Sequence, residues 1–295
     1  MTALAYSLVT PTRDEADNLV RLAESVTSQS VMPRSWIIVD NGSTDPTPAL
    51  IGELEAKCSW IHGATSPPTA HPEPGAPIVQ ALHTGLAQLG RYDDVVVKLD
   101  ADVSFAHDYF ERLLQAFEAD PALGIAGGEC LELDDGEWRA VHVTSSHVRG
   151  AVRAYRRACL DTVLPLVEGL GWDTVDELQA SVHGWHVAVV PGLHFRHHRA
   201  LGARDRFPWS RAVRQGRAAH YLGYRFWYLA ARSIFRARRS PTAFGMLWGY
   251  AGSAIVRRPV HPDAAVRAEL RRRQALVALP TRVREAFGRQ SLSSR

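Results

Sequence analysis

The stretch VVVKLDADVSF, residues 95–105, opens on three valines and runs into two carboxylates, Asp100 and Asp102, one residue apart. An apolar run of this kind fits a strand buried on both faces, as in a parallel sheet. Its polar end is the informative part. Two carboxylates this close repel each other, and burial raises their pKa values unless a cation intervenes. A hard divalent ion on oxygen ligands, Mg2+ or Mn2+, resolves the conflict. An acidic cap on a following helix explains the same residues without a metal. Taken alone, the pair leaves both readings open.

Working outward, strand and helix signals alternate. LAYSLVT leads to Pro11, then Thr12 and Glu15 are spaced as a capping box before Leu19, Leu22, Ala23 and Val26 at helical intervals. SWIIVD (35–40) reads as a short buried strand, and Asp45 before Pro46 as the start of the next helix. A third strand is expected near Trp60 and Ile61, and the proline-rich stretch 63–77 as a long loop. Ile78, Leu82, Leu86 and Leu89 mark one helix face, and Phe110, Leu113, Leu114 and Phe117 another. This alternation predicts an α/β fold with a mainly parallel sheet flanked by helices. Ligands of such sheets sit outside the carboxyl ends of the strands. Here those ends are TPTRDE, DNGSTD and DADVS, all polar and acidic.

From about residue 124 a mixed sheet is expected, with strands in GIAGGECLEL, WRAVHVTSS and HVAVVPGLHFRHHR, and a helix starting near Asp173. The charge is divided sharply. Residues 1–190 carry 12 Lys+Arg against 27 Asp+Glu, a net of −15, and residues 191–295 carry 22 against 4, a net of +18. The split predicts an acidic catalytic or binding half joined to a tail that meets an anionic surface. Cys58, Cys130 and Cys159 follow no metal-ligand spacing and read as small apolar residues in a reducing compartment. The amino terminus lacks the basic flank and apolar length of a signal peptide.

SLVTPTRDEADNLVRLAESVTSQS, WIIVDNGSTDPT and VVVKLDADVSF, in that order, resemble the glycosyltransferase family 2 domain. The resemblance continues through GAVRAYRR, GWDTVDELQASVHGW and LHFRHHR, covering roughly residues 5–200. It implies a Rossmann-like GT-A fold that uses nucleotide-sugar donors. It further implies that Pro11, Arg13 and Glu15 border the nucleotide and that Asp40 accepts from the base. Asp100 would lie near ribose and metal, and Asp102 would bind the Mg2+ or Mn2+ that bridges the diphosphate, with Lys98 adding charge or facing solvent. A cation there neutralises the departing nucleoside diphosphate.

The segment GWDTVDELQA lies where the resemblance puts the base of an inverting transfer, the carboxylate that takes the acceptor hydroxyl's proton. Many members carry Glu-Asp; this chain has Asp176-Glu177, with Asp173 three residues earlier. Asp176 is favoured over Glu177 and Asp173, and an acidic helix start accounts for at least one of the three. Of His197 and His198, both candidates for the metal and diphosphate, strand alternation lets one face the site. Arg153, Arg156 and Arg157 are either contacts to an anionic acceptor or a solvated basic face.

After about residue 204 the chain becomes rich in arginine and aromatics, and AFGMLWGYAGSAIV (243–256) is apolar until Arg257-Arg258. That run is too short for a span and suits a helix lying in a bilayer interface, or one packing on the catalytic core. The expected layout is thus a GT-A domain over residues 1–204 and a basic helical region over 205–295. The Gln-x-x-Arg-Trp motif of processive members is missing after Gln215. The expected activity is therefore transfer of one sugar from a nucleoside diphosphate, UDP foremost, to a lipid-linked or cell-surface glycan acceptor. The expected place is the cytoplasmic face of the cell membrane, on anionic lipid, with no nucleic-acid partner. A degenerate nucleotide-sugar-binding or scaffolding member is the alternative. A sugar nucleotidyltransferase is disfavoured because TPTRDEAD holds no glycine, and no Gly-x-Gly-x-x-Gly follows a strand to bind NAD.

Overall fold

The computed structural model describes residues 4–67, 75–89, 93–141, 147–169, 171–199, 207–238 and 240–275. Residues 68–74 of the proline-rich loop expected at 63–77, and the end of the strand expected in WRAVHVTSS, lie outside the described residues. Two compact units divide the chain, Met1–Ala200 and Leu201–Arg295.

The first unit follows the alternation of its sequence: β1 (Tyr6–Thr12), α1 (Ala16–Thr27), β2 (Ser35–Asp40), α2 (Thr47–Lys57), β3 (Ile61–Thr65), α3 (Ala76–Gln88), β4 (Val95–Leu99), β5 (Val103–Phe105) and α4 (Tyr109–Ala119). It continues with β6 (Leu123–Asp134), β7 (Glu137–Ala140), β8 (Val152–Arg156), α5 (Arg157–Val163), α6 (Trp172–Val182) and β9 (His186–His197). The strands form one sheet in the order β3-β2-β1-β4-β8-β6-β9-β5, with β7 added beside β6. Strands β3, β2, β1 and β4 run parallel, β8 is antiparallel to both β4 and β6, and β9 runs parallel to β6. The mixed second half expected from residue 124 is present.

Helices cover both faces of the sheet, which is why its strands read as continuous apolar runs rather than alternating ones. Leu8, Ile38, Val95 and Val97 pack on one side with Leu19, Leu22, Phe110 and Phe117. Val9, Ile37, Val39 and Val96 pack on the other with Val79, Leu82 and Leu160. Helix α3 lies tight on β1 at Gly85, where a Cβ would come within 2.4 Å of Val9 Cγ1.

The expected capping box does not form. Thr12 is still in β1, opposite Asp40 of β2, and its hydroxyl donates to Val39 O at 3.1 Å. Glu15 takes the N-cap position of α1, and the next loop over satisfies the backbone there: Glu15 N–H donates to Thr47 Oγ1 and Ala16 N–H to Asp45 Oδ2. Asp45 also accepts from Thr47 N–H at the start of α2.

The second unit contains α7 (Pro208–Tyr221), α8 (Phe226–Ala237), a 3-10 turn (Pro241–Phe244), α9 (Gly245–Ile255) and α10 (Ala264–Arg273). Ala212, Ala219, Leu229, Ala243 and Met246 make its small core. Helices α7 and α9 touch through backbone: a Cβ on Gly216 would meet Met246 O at 2.0 Å, and one on Gly249 would meet Val213 O at 2.1 Å. No helix among the described residues is long and apolar enough to cross a membrane.

Candidate active site

The carboxyl ends of β1, β2 and β4 lie side by side, so their loops form a common rim. Asp14 ties two of them together, accepting from Thr44 N–H at 2.6 Å and from its hydroxyl at 3.1 Å. These bonds hold the Asp14 carboxyl below its usual range. Asp40 turns back on its own loop to accept from Ser43 N–H at 3.1 Å. Pro11 and Arg13 lie on the same rim, with Arg13 exposed and 3.9 Å from Asp14.

Behind the rim, Asp102 anchors a chain of opposite charges. His197 Nε2 lies 3.3 Å from one Asp102 oxygen, and Arg199 lies 3.6 Å from the other. Arg199 also grips Glu15 with two donors, at 2.8 and 2.7 Å. Burial works to raise Asp102, but the hydrogen bond and charge of His197, with Arg199, hold it below the usual carboxylate range. Asp100 is different. Burial and the neighbouring Asp102 charge raise it, and Lys98 offsets them in part. Lys98 is itself buried and donates to Asp100 and to Gly150 O, so the solvent-facing alternative for this lysine does not hold.

Of the two histidines, His197 reaches the carboxylates, while His198 turns to Ser104 at 2.8 Å. Burial opposes protonation of His197, yet its bond to Asp102 and the charges of Asp102 and Asp100 push it up to about 10. Ligand atoms of Asp100, Asp102 and His197 all lie within 4.8 Å of one another. The donors are two carboxylates and an imidazole, and Asp100 is raised by its crowded setting, so the set suits a hard divalent cation.

Helix α6 was expected to supply the base, with Asp176 first, and Arg153 and Arg156 either to meet the acceptor or to line a solvated basic face. The structure places them otherwise. Arg153 is fully buried and uses all five of its N–H donors: on both Asp176 oxygens (3.0 and 2.6 Å), on Glu177 (3.1 Å), and on the carbonyls of Val148 and Asp173. No donor is left for an acceptor. Asp176 also accepts from Tyr155 OH, and burial raises its carboxyl to about 7 despite Arg153. Glu177 is equally occupied, accepting from Val148 N–H at 2.8 Å and lying 3.1 Å from His147 Nδ1. Asp173, in the first turn of α6, keeps a partly exposed carboxylate. A Cβ on Gly150 would lie 3.5 Å from its Oδ2, which sets it beside the Gly150 carbonyl that holds Lys98. Arg156 is opposite Val95, at the far end of β4 from Asp100, and binds the carbonyls of Leu123, Phe117 and Asp120.

The chain matches a known family over its first half. Residues 7–142 fit the model of Glycosyl transferase family 2. This part of the chain belongs to that family. No curated protein sequence matches the chain. Among solved structures, S. aureus TarS 1-349 in complex with UDP-GlcNAc superposes with a TM-score of 0.57 at 15% identity, over 72% of this chain and 65% of that one. Mannosyltransferase PcManGT from Pyrobaculum calidifontis, in complex with GDP-Man and Mn2+, gives 0.56 at 17% identity, over 97% of this chain and 87% of that one. GalNAc-T7 with UDP, GalNAc and Mn2+ gives 0.54 at 15%, over 67% and 44%. The chain spans 60% of another TarS 1-349 structure that it matches. At these identities the likeness is one of fold, and the fold of the family 2 domain here is GT-A.

Several site residues escaped the sequence reading. Arg199 ends the LHFRHHR segment, where the histidines carry the visible signal. Tyr155, His147, Cys130 and Glu132 carry no local pattern that points to them.

Proposed function

We propose that the protein is an inverting, cation-dependent glycosyltransferase that moves one sugar from a nucleoside diphosphate, UDP foremost, to a lipid-linked or cell-surface glycan acceptor. The observation that carries the reading is the meeting of Asp100, Asp102 and His197 at the carboxyl end of β4, beside a rim built from Pro11, Arg13, Glu15 and Asp40. Asp100, Asp102 and His197 would hold Mg2+ or Mn2+, which when bound neutralises charge on the leaving diphosphate. Asp40 is suited to accept from the base, and Lys98 keeps positive charge beside Asp100. Arg199 fixes Glu15 and the Asp102 carboxylate in one geometry, so neither reorients as donor binds.

Asp173 is the residue we assign as base. Taking a proton from an attacking hydroxyl requires a carboxylate that can approach it. Asp176 and Glu177 are bound to Arg153 instead, whereas Asp173 lies beside Gly150, whose carbonyl accepts from Lys98, and is partly exposed. Asp176, Glu177 and Arg153 then serve to fix α6 against β8. Release of UDP or GDP from UDP- and GDP-sugars, assayed with Mn2+ and with chelator, tests the activity. Turnover with chelator equal to that with Mn2+ would overturn the cation dependence.

The second unit supports association with an anionic membrane surface at the inner face of the cell membrane. Helix α9 carries no charge, and Phe244, Trp248, Ile255 and Val256 form an exposed apolar stripe that ends at Arg257 and Arg258. A soluble helix normally turns a polar face outward. At 11 residues α9 is about 16 Å long, half of a bilayer core, so it would lie in the interface with its arginines toward lipid phosphates. Such a placement suits an acceptor presented on a membrane, and the cell-envelope polysaccharide context expected for the chain.

A further inference from the structure

His197 has a second nitrogen. Its Nε2 faces Asp102, while Nδ1 is buried with no hydrogen-bond partner. The residue is 7% exposed, and a buried polar atom left unpaired is destabilising, so its surroundings matter. Strand register decides what surrounds it. Cys130 and Glu132 are two apart on β6 and therefore share a face, and Glu132 is directly opposite His197 on β9. Ligand atoms of Cys130, Glu132 and His197 all lie within 4.8 Å of one another.

The separation of Nδ1 from Glu132 Oε1 is 3.6 Å, too long for a hydrogen bond. It is close to the edge of a zinc tetrahedron, about 3.4 Å for Zn–N and Zn–O bonds of about 2.1 Å. Glu132 is also oriented from behind: Arg149 donates to the same oxygen at 2.8 Å, the kind of outer support that ligating carboxylates receive. A thiolate, an imidazole and a carboxylate leave a fourth position open, and the sulfur selects zinc-class ions over Mg2+ or Mn2+.

We propose that Cys130, Glu132 and His197 Nδ1 form a second cation site, for a zinc-class ion, that shares its imidazole with the Asp100/Asp102 site. Binding forms metal–sulfur and metal–nitrogen bonds as the Cys130 thiol and His197 Nδ1 each give a proton to solvent. With the metal on Nδ1, His197 keeps its remaining proton on Nε2 and donates it to Asp102. Nε2 then has no lone pair for the neighbouring cation, so zinc at the second site weakens Mn2+ at the first. The proposal concerns cation binding and stands or falls without reference to sugar transfer.

Cobalt(II), a coloured substitute for zinc, tests it on the full chain with excess Mg2+ present. A near-ultraviolet thiolate-to-cobalt band should grow and saturate at one cobalt per chain. Cys130→Ser should abolish the band, and Glu132→Gln should weaken cobalt binding at least tenfold, with Cys58 and Cys159 unchanged in both. Free Mn2+ followed by electron paramagnetic resonance should show zinc raising the Mn2+ Kd in the wild type and not in Cys130→Ser. Absence of the band in the wild type overturns the site. So does a band that survives Cys130→Ser, which would place the thiolate elsewhere, or full cobalt affinity in Glu132→Gln.

Discussion

Arg153 and Asp176 form a two-point ion pair, at 3.0 and 2.6 Å, in which neither side chain reaches solvent. A pair buried this completely is hard to reconcile with proton transfer to a substrate. Breaking it by removing one partner strands a charge in the core, which costs about 3–5 kcal/mol.

Two neighbouring carboxylates therefore have opposite expected phenotypes. Asp173→Asn should lower sugar transfer by about 10²–10⁴-fold and leave thermal stability unchanged. Asp176→Asn should lower Tm markedly, with any activity loss following the loss of folded protein. Measuring both quantities for both variants decides the assignment. Wild-type transfer in Asp173→Asn, with a stable and inactive Asp176→Asn, would return the base to Asp176.

Arg199 joins Glu15 to the neighbourhood of Asp102 across 184 residues of sequence. In a double-mutant cycle of Glu15→Gln and Arg199→Met, read by denaturant unfolding, the coupling should fall in the range of about 0.5–3 kcal/mol. Additive effects would mean that the contact orders nothing.

The α9 stripe predicts a surface phenotype without a folding one. Trp248 is 70% exposed and Ile255 80%, so Trp248→Glu and Ile255→Glu should leave Tm within a degree or so of wild type. Both should reduce sedimentation with anionic vesicles, and high salt should do the same to the wild type. Wild-type protein that ignores anionic vesicles would remove the membrane from the account.

The alternation of apolar runs was readable from the chain because strands covered on both faces and amphipathic helices leave different periods. Asp100 and Asp102 were readable because they end such a run. Strand alternation limited His197 and His198 to one site-facing residue, yet which one depended on β9 pairing, where His197 falls opposite Glu132. The role of Arg153 was not readable at all. As a sequence feature it is one arginine among three in RAYRR, and its partners lie 23 and 24 residues away on α6. Thr12 misled for a local reason: its spacing to Glu15 suits a cap, but pairing with β2 keeps it in the strand.

The central claim is that Asp100, Asp102 and His197 hold a cation that in turn holds a nucleoside diphosphate. Thermal unfolding with UDP or GDP, with and without Mn2+, tests it most directly. The account predicts that one of these nucleotides stabilises the protein only when Mn2+ is present, by about 2.7 kcal/mol at a hundredfold excess over its Kd. Asp102→Asn should remove that gain. A protein that neither nucleotide stabilises, or one stabilised equally without metal and in Asp102→Asn, would contradict it.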